Sequence, residues 1–179
     1  MLRCLILLGC LMVTSLSCQQ ATPSSRELLR VEVAPAELAI LAVDNQDSRW
    51  GTDAESLREA LAAAAVNAGF SPLGRGFVDQ ANIDLDVPAL ENAGVLRVRL
   101  TDWQPQPGPP TRLSGRIHAS LYCRGELLAD LQYTIDYRSD ASLVAADWRG
   151  QMAALRRQFA AELIDKLPPP PEVGENGAR

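Results

Sequence analysis

The chain contains a single histidine, His118, and four cysteines, Cys4, Cys10, Cys18 and Cys123. A metal centre or a nucleophile–base pair needs several such groups converging on one point. His118 lies mid-strand with Arg116, Ser120 and Tyr122 on its side of the alternation, and these form no recognised catalytic set. Asp44, Asp47 and Asp53 in "DNQDSRWGTD" are acids, but their spacing matches no Ca²⁺ loop, which fixes its ligands at alternate positions and closes with Glu. Turn and cap roles account for Asn45, Asp47 and Thr52. Cys123 falls on an apolar face and reads as a small core residue. "GRG" at 74–76 lacks the Lys-Ser/Thr of a phosphate loop and reads as a turn. The expectation is a protein without catalytic residues, metal or cofactor.

Cys18 carries different chemistry. Arg3 is a positive start, Cys4 to Leu16 is an apolar run, and Ser15 and Ser17 are small residues before the border. That run is shorter than the roughly 20 residues a membrane span needs, so residues 1–17 read as a secretion signal. Two cleavage readings compete, an ordinary small-x-small site and a lipobox whose cysteine is acylated. In a lipobox, Leu usually stands three positions before the cysteine, and here Leu16 stands two before it. "LLGC" at 7–10 has the better spacing but would leave apolar "LMVTSLS" on the mature end. Loss of Cys4 and Cys10 with the signal leaves Cys18 and Cys123, and a lone disulfide from a terminus to a strand is an odd framework. Acylation at Cys18 is the favoured reading, with more than one acyl chain needed for firm attachment.

The formal net charge is −5. With no basic run, this excludes nucleic acid as the expected partner and argues against charge-driven binding to anionic lipid headgroups. Membrane attachment is therefore expected through the acyl groups alone.

The elements follow from periodicity. "ELAILAVDN" (37–45) suits a buried strand. The next helix starts at the Thr52–Glu55 capping box, repeats at Leu57, Leu61, Ala64 and Ala68, and stops at Gly69. "FSPLGRGF" reads as a short strand, "DVPALENAG" (86–94) as a short helix, and "VLRVRLTDW" (95–103) as a half-exposed strand with Arg97 and Arg99 on one side. The proline-rich "QPQPGPP" reads as a loop. Two alternating runs between Arg112 and Arg138 flank Arg124-Gly125 and read as a hairpin. Trp148, Met152, Leu155, Phe159 and Leu163 step as an amphipathic helix.

The order β-α-β-α-β-β-β-α implies an α/β domain with one mixed sheet, the C-terminal hairpin followed by a helix. The expected division is signal 1–17, flexible anchored tether 18–36, a single domain 37–167, and a disordered proline-rich tail 168–179.

"LAILAVDN", the helix ending in "AGF", "LENAGVLRVRLTDW" and "IHASLYCRGELLAD" resemble a family of bacterial envelope lipoproteins. In that family a strand like Ile-Leu-Pro-x-x-Asn leads to a helix ending in Gly-Tyr, and a later strand ends in Asp-Trp. Ala42 stands here where the proline is usual. The family is similar in fold to the amino-terminal domain of the translocation protein TolB. Its members resemble accessory lipoproteins beside curli-secretion-type channels and ABC-type lipid transport systems. The resemblance implies a lipid-anchored, periplasm-facing accessory component with an envelope protein partner and no catalytic residues to carry over. Gln19, rather than aspartate, after the cysteine points to the outer membrane. Arg49, Trp50 and Trp103 are the candidate contact residues, since aromatics concentrate at interface centres. For the two tryptophans, closing the ends of the core is the competing reading. The alternative function is a free periplasmic ligand-binding module using the crevice at 44–53.

Overall fold

A computed structural model of the chain describes residues 25–45, 51–83, 90–108, 110–139 and 148–172. It contains strands β1 (Arg26–Leu29), β2 (Glu37–Ile40) and β3 (Asp44–Asn45), helix α1 (Gly51–Asn67), strand β4 (Ser71–Pro72) and helix α2 (Arg75–Ile83). Strands β5 (Gly94–Gln106), β6 (Arg112–Cys123) and β7 (Glu126–Arg138) and helix α3 (Trp148–Asp165) complete it. The seven strands form one mixed sheet in the order β1-β7-β6-β5-β2-β4, with β3 also on β5. Apart from β1 and β3, this is the element order expected from periodicity.

The parallel pairs β2–β4 and β2–β5 set the helix layers. The chain steps outward from β2 to β4 through α1, then back past β2 to β5 through α2. Two right-handed crossovers in opposite directions must lie on opposite faces. Accordingly α1 and α3 cover one face, where Leu38, Leu57, Leu61, Leu96, Leu121, Leu131 and Phe159 form the main core. Val78 of α2 packs on Ala39 and Ala93 from the other side. On that other side most of β5, β6 and β7 carries no helix among the described residues.

Local chemistry explains the joints. Helix α1 ends where Gly69 takes φ 89°, with Phe70 N–H donating to the Ala65 carbonyl and Gly69 N–H to that of Val66. That pair of bonds is the left-handed cap a glycine permits. In the β6–β7 hairpin Arg124 (φ 52°) and Gly125 (φ 77°) make a two-residue turn, whose twist matches the flanking strands. Arg58 of α1 is buried and donates to the Ile40 carbonyl at 2.9 Å. That carbonyl lies past the end of β4, whose pairing with β2 reaches only Leu38↔Pro72. The guanidinium thus serves an edge group that has no strand partner, and also pairs with Asp79 of α2 at 2.7 Å.

Several expectations need correction. Residues 75–77, expected as the end of a strand, instead open helix α2, because burying Val78 against the sheet outweighs the glycine punctuation. Of the helix expected at 86–94, residues 86–89 lie outside the described residues, and Gly94 already belongs to β5. The side chain of Thr52 also lies outside them, while Glu55 pairs with Arg75. The sheet begins within the expected tether: β1 pairs antiparallel with β7 and covers an edge that would otherwise stay open. The domain also continues past residue 167, since Pro168 is buried and the Pro169 carbonyl accepts the Ala34 N–H at 2.8 Å. Cys123 is half-buried at the hairpin end rather than in the core. No helix among the described residues is long and apolar enough to cross a membrane.

Candidate functional site

Antiparallel pairing turns the polar halves of three alternating strands into an ordered surface. Arg99 of β5 lies opposite His118 of β6, which lies opposite Gln132 of β7. In the next row Thr101, Arg116 and Thr134 stand in the same relation. These six residues, with Ile117 and Tyr133, line a depression of about 300 Å³ on the open face of the sheet. Side chains directly opposite in such a sheet are close neighbours, and diagonal ones remain within reach of long side chains.

Acids hold the basic groups from the rim. Arg99 Nε donates to Asp44 at 2.9 Å, and Arg116 pairs with Asp102. Both arginines remain more than half exposed, at 55% and 65%. His118 Nε2 faces Asp130 at 2.7 Å, and the Ser120 hydroxyl donates to the same carboxylate oxygen at 2.9 Å. Burial works to raise the Asp130 carboxyl, but the hydrogen bonds from His118 and Ser120 outweigh it and hold it below the usual carboxylate value.

This serine–histidine–aspartate cluster is not a charge-relay arrangement. A nucleophile's base must present one ring nitrogen to the serine and the other to the carboxylate. Here the same Nε2 faces both partners, and the Ser120 hydroxyl is spent on Asp130. The cluster orients the imidazole and leaves Ser120 unactivated. Among the described residues no group of three or more histidines, cysteines or carboxylates is placed to hold a metal ion.

The residues singled out in the sequence fall elsewhere. Cys18, Arg49 and Trp50 lie outside the described residues, as does Asp47. Trp103 is fully buried, so the contact role expected for it is corrected: a ring with no exposed surface cannot anchor a partner. The cause is a bulge. Between Thr101 and Gln104 the pairing of β5 with β6 shifts, and Asp102 adopts φ 53°. The extra residue reverses the alternation. Trp103 therefore turns into the core instead of joining Arg97 and Arg99, and Asp102 turns out toward Arg116.

Inside, the indole stacks edge-on against Phe159, with centroids 5.7 Å apart, and its Nε1–H donates to Asp53 at 2.5 Å. Asp53 also pairs with Arg156. The two described acids of the 44–53 crevice are thus both committed, Asp44 to Arg99 and Asp53 to the core.

Comparison with known proteins places the fold. No protein-family model matches the chain, and no curated protein matches it in sequence. Among solved structures it is similar to the PelC dodecamer from Paraburkholderia phytofirmans, with a TM-score of 0.54 at 12% identity over 84% of this chain and 100% of that one. The lipoprotein GNA1162 from Neisseria meningitidis aligns at a TM-score of 0.41 and 19% identity, covering 70% of this chain and 99% of that one. At that lower score the second likeness carries no argument. The first shows a shared fold.

Proposed function

We propose that this protein is a lipid-anchored, periplasm-facing lipoprotein that acts as a non-catalytic accessory or assembly component of an envelope transport or secretion system. The outer membrane is the proposed site of the anchor. The observation that carries the reading is the secretion signal ending at Cys18 with polar chain beyond it. Cys18 stands eight positions before β1, a length that spans at most about 29 Å when fully extended. The anchor would thus hold the domain close to the membrane surface. The resemblance to envelope lipoproteins with a TolB-amino-terminal-like fold belongs to the same reading. PelC, which shares the fold, is a dodecamer, and repeated copies of one small domain suit an assembly component.

The intact mass of the mature protein, extracted with detergent beside a Cys18→Ser variant, tests the anchor. The expected wild-type mass is that of residues 18–179 plus acyl groups, with the variant unmodified. An unmodified wild-type chain in the soluble fraction would sink the reading. Crosslinking in intact cells, followed by identification of the captured envelope protein, tests the accessory role. Light scattering on the extracted protein reports the copy number.

A further inference from the structure

We infer that the depression on the open sheet face is a binding site for a small hydroxylated oxyanion, a sugar acid or sugar phosphate, with Arg99 and Arg116 receiving the anionic group. None of its eight lining residues is a carboxylate, and two carry guanidiniums. Each guanidinium is gripped from the rim, Arg99 through Nε by Asp44 and Arg116 through Nη2 by Asp102. Among the described residues the Nη groups of Arg99, and Nε and Nη1 of Arg116, carry no further partner. A planar fork held on one side loses less freedom when the other side takes a ligand, and its spacing matches the oxygens of carboxylate and phosphate.

The two arginines are diagonal neighbours across β5 and β6, about 7–8 Å apart at the backbone, so their flexible heads can converge on one oxyanion. Gln132, Thr134, Thr101 and the free ring nitrogen of His118 supply donors and acceptors for hydroxyl groups. Tyr133, also among the lining residues, is buried in the core, so the site relies on hydrogen bonds.

The surrounding charge decides between a small ligand and a polyanionic surface. Asp44, Asp102, Asp130 and Asp136 stand around the two rows on the same face. A flat anionic surface laid on the sheet would meet those carboxylates as well as the arginines, on a chain whose net charge is already −5. A ligand with a single oxyanion group meets only the arginines. The inference stands whether or not Cys18 is acylated.

The test is calorimetric titration of the mature protein at low ionic strength with glucuronate, glucose 6-phosphate and inorganic phosphate, with glucose as the neutral control. Saturable binding of the anionic probes and none of glucose is expected. The Arg99→Gln/Arg116→Gln variant should weaken it by at least about tenfold. Arg112→Gln, on the same face but outside the two rows, should leave it unchanged. Should the double variant fold poorly, the single variants Arg99→Gln and Arg116→Gln serve instead, each expected to weaken binding. Absence of binding by all three anions, or binding unaltered in these variants, would overturn the assignment. Capture of the Cys18→Ser protein on phosphatidylglycerol vesicles, lost in the arginine variant, would give the face to a membrane and equally overturn it.

Discussion

Replacing Asp53 by Ala removes a carboxylate that joins α1, β5 and α3. The carboxylate is 3% exposed, accepts the Trp103 indole N–H at 2.5 Å and pairs with Arg156. Without it the indole N–H stays buried with no acceptor, at a cost of about 1–3 kcal/mol. Arg156 loses its counter-charge, and breaking a buried pair from one side costs about 3–5 kcal/mol. The arginine side chain keeps 20% of its surface and can turn toward water, so its share falls below that range and the total is about 3–4 kcal/mol. In a domain of this size that lowers Tm by about 6–16 °C. Urea unfolding followed by circular dichroism measures it, with an unchanged m-value showing that the unfolded state is the same. The Arg156→Met partner completes a cycle, in which the double variant should be less destabilised than the sum by about 1–3 kcal/mol. A loss below about 1 kcal/mol for Asp53→Ala, or strict additivity in the cycle, would refute the claim that these groups act as one buried unit.

Further predictions concern packing and pH. Gly115→Ala would set a Cβ 2.8 Å from Trp103 Cε3 and should cost about 1–3 kcal/mol in urea unfolding. Hydrogen bonds from Arg58 and Arg112 hold the carboxyls of Asp79 and Asp136 below the ordinary value. Their contribution to stability is therefore present above the unfolded value of about 3.9 and lost as pH falls through the lower folded values. The Asp79→Asn/Asp136→Asn variant should show a shallower acid limb in pH-dependent urea midpoints. Burial, together with nearby Glu162, pushes the phenols of Tyr133 and Tyr137 above their ordinary value. The folded state then keeps protons that the unfolded state releases, so stability holds below about pH 10 and declines above it. Tyr137→Phe should flatten that alkaline decline, as read by thermal melts across the range.

Legibility varied with the kind of interaction that holds each element. The β6–β7 hairpin and the stop of α1 at Gly69 are readable because period-two alternation, Arg124-Gly125 and a glycine cap are local signals. Helix α3 is readable because Met152, Leu155, Phe159 and Leu163 share one buried stripe. Strand β1 carries no such signal. Its four mostly exposed residues are a strand because β7 supplies a partner. Helix α2 forms over glycines for a similar reason, the apolar seat that Ala39 and Ala93 offer Val78.

For the candidate site, alternation already sets Arg97 with Arg99 and Arg116 with His118 within their own strands. Bringing Arg99 beside His118 and Gln132 depends on inter-strand register, which a one-residue slip would undo. The bulge at Asp102 is such a slip confined to one strand. It sends Trp103 into the core and Asp102 to the surface, reversing what unbroken alternation implies.

By itself the sequence determined the order of the main strands and helices and the polarity of most strand faces, and it marked Cys18 as the candidate anchor behind an expected export signal. All of these reside in short-range composition and periodicity. The tertiary structure alone decided which strand edges were covered, which acid was buried under Arg156 and Trp103, and which two arginines came to share one depression. Those depend on contacts between residues far apart in the chain, whose distances are set only when the sheet closes its register and the helices settle on its faces.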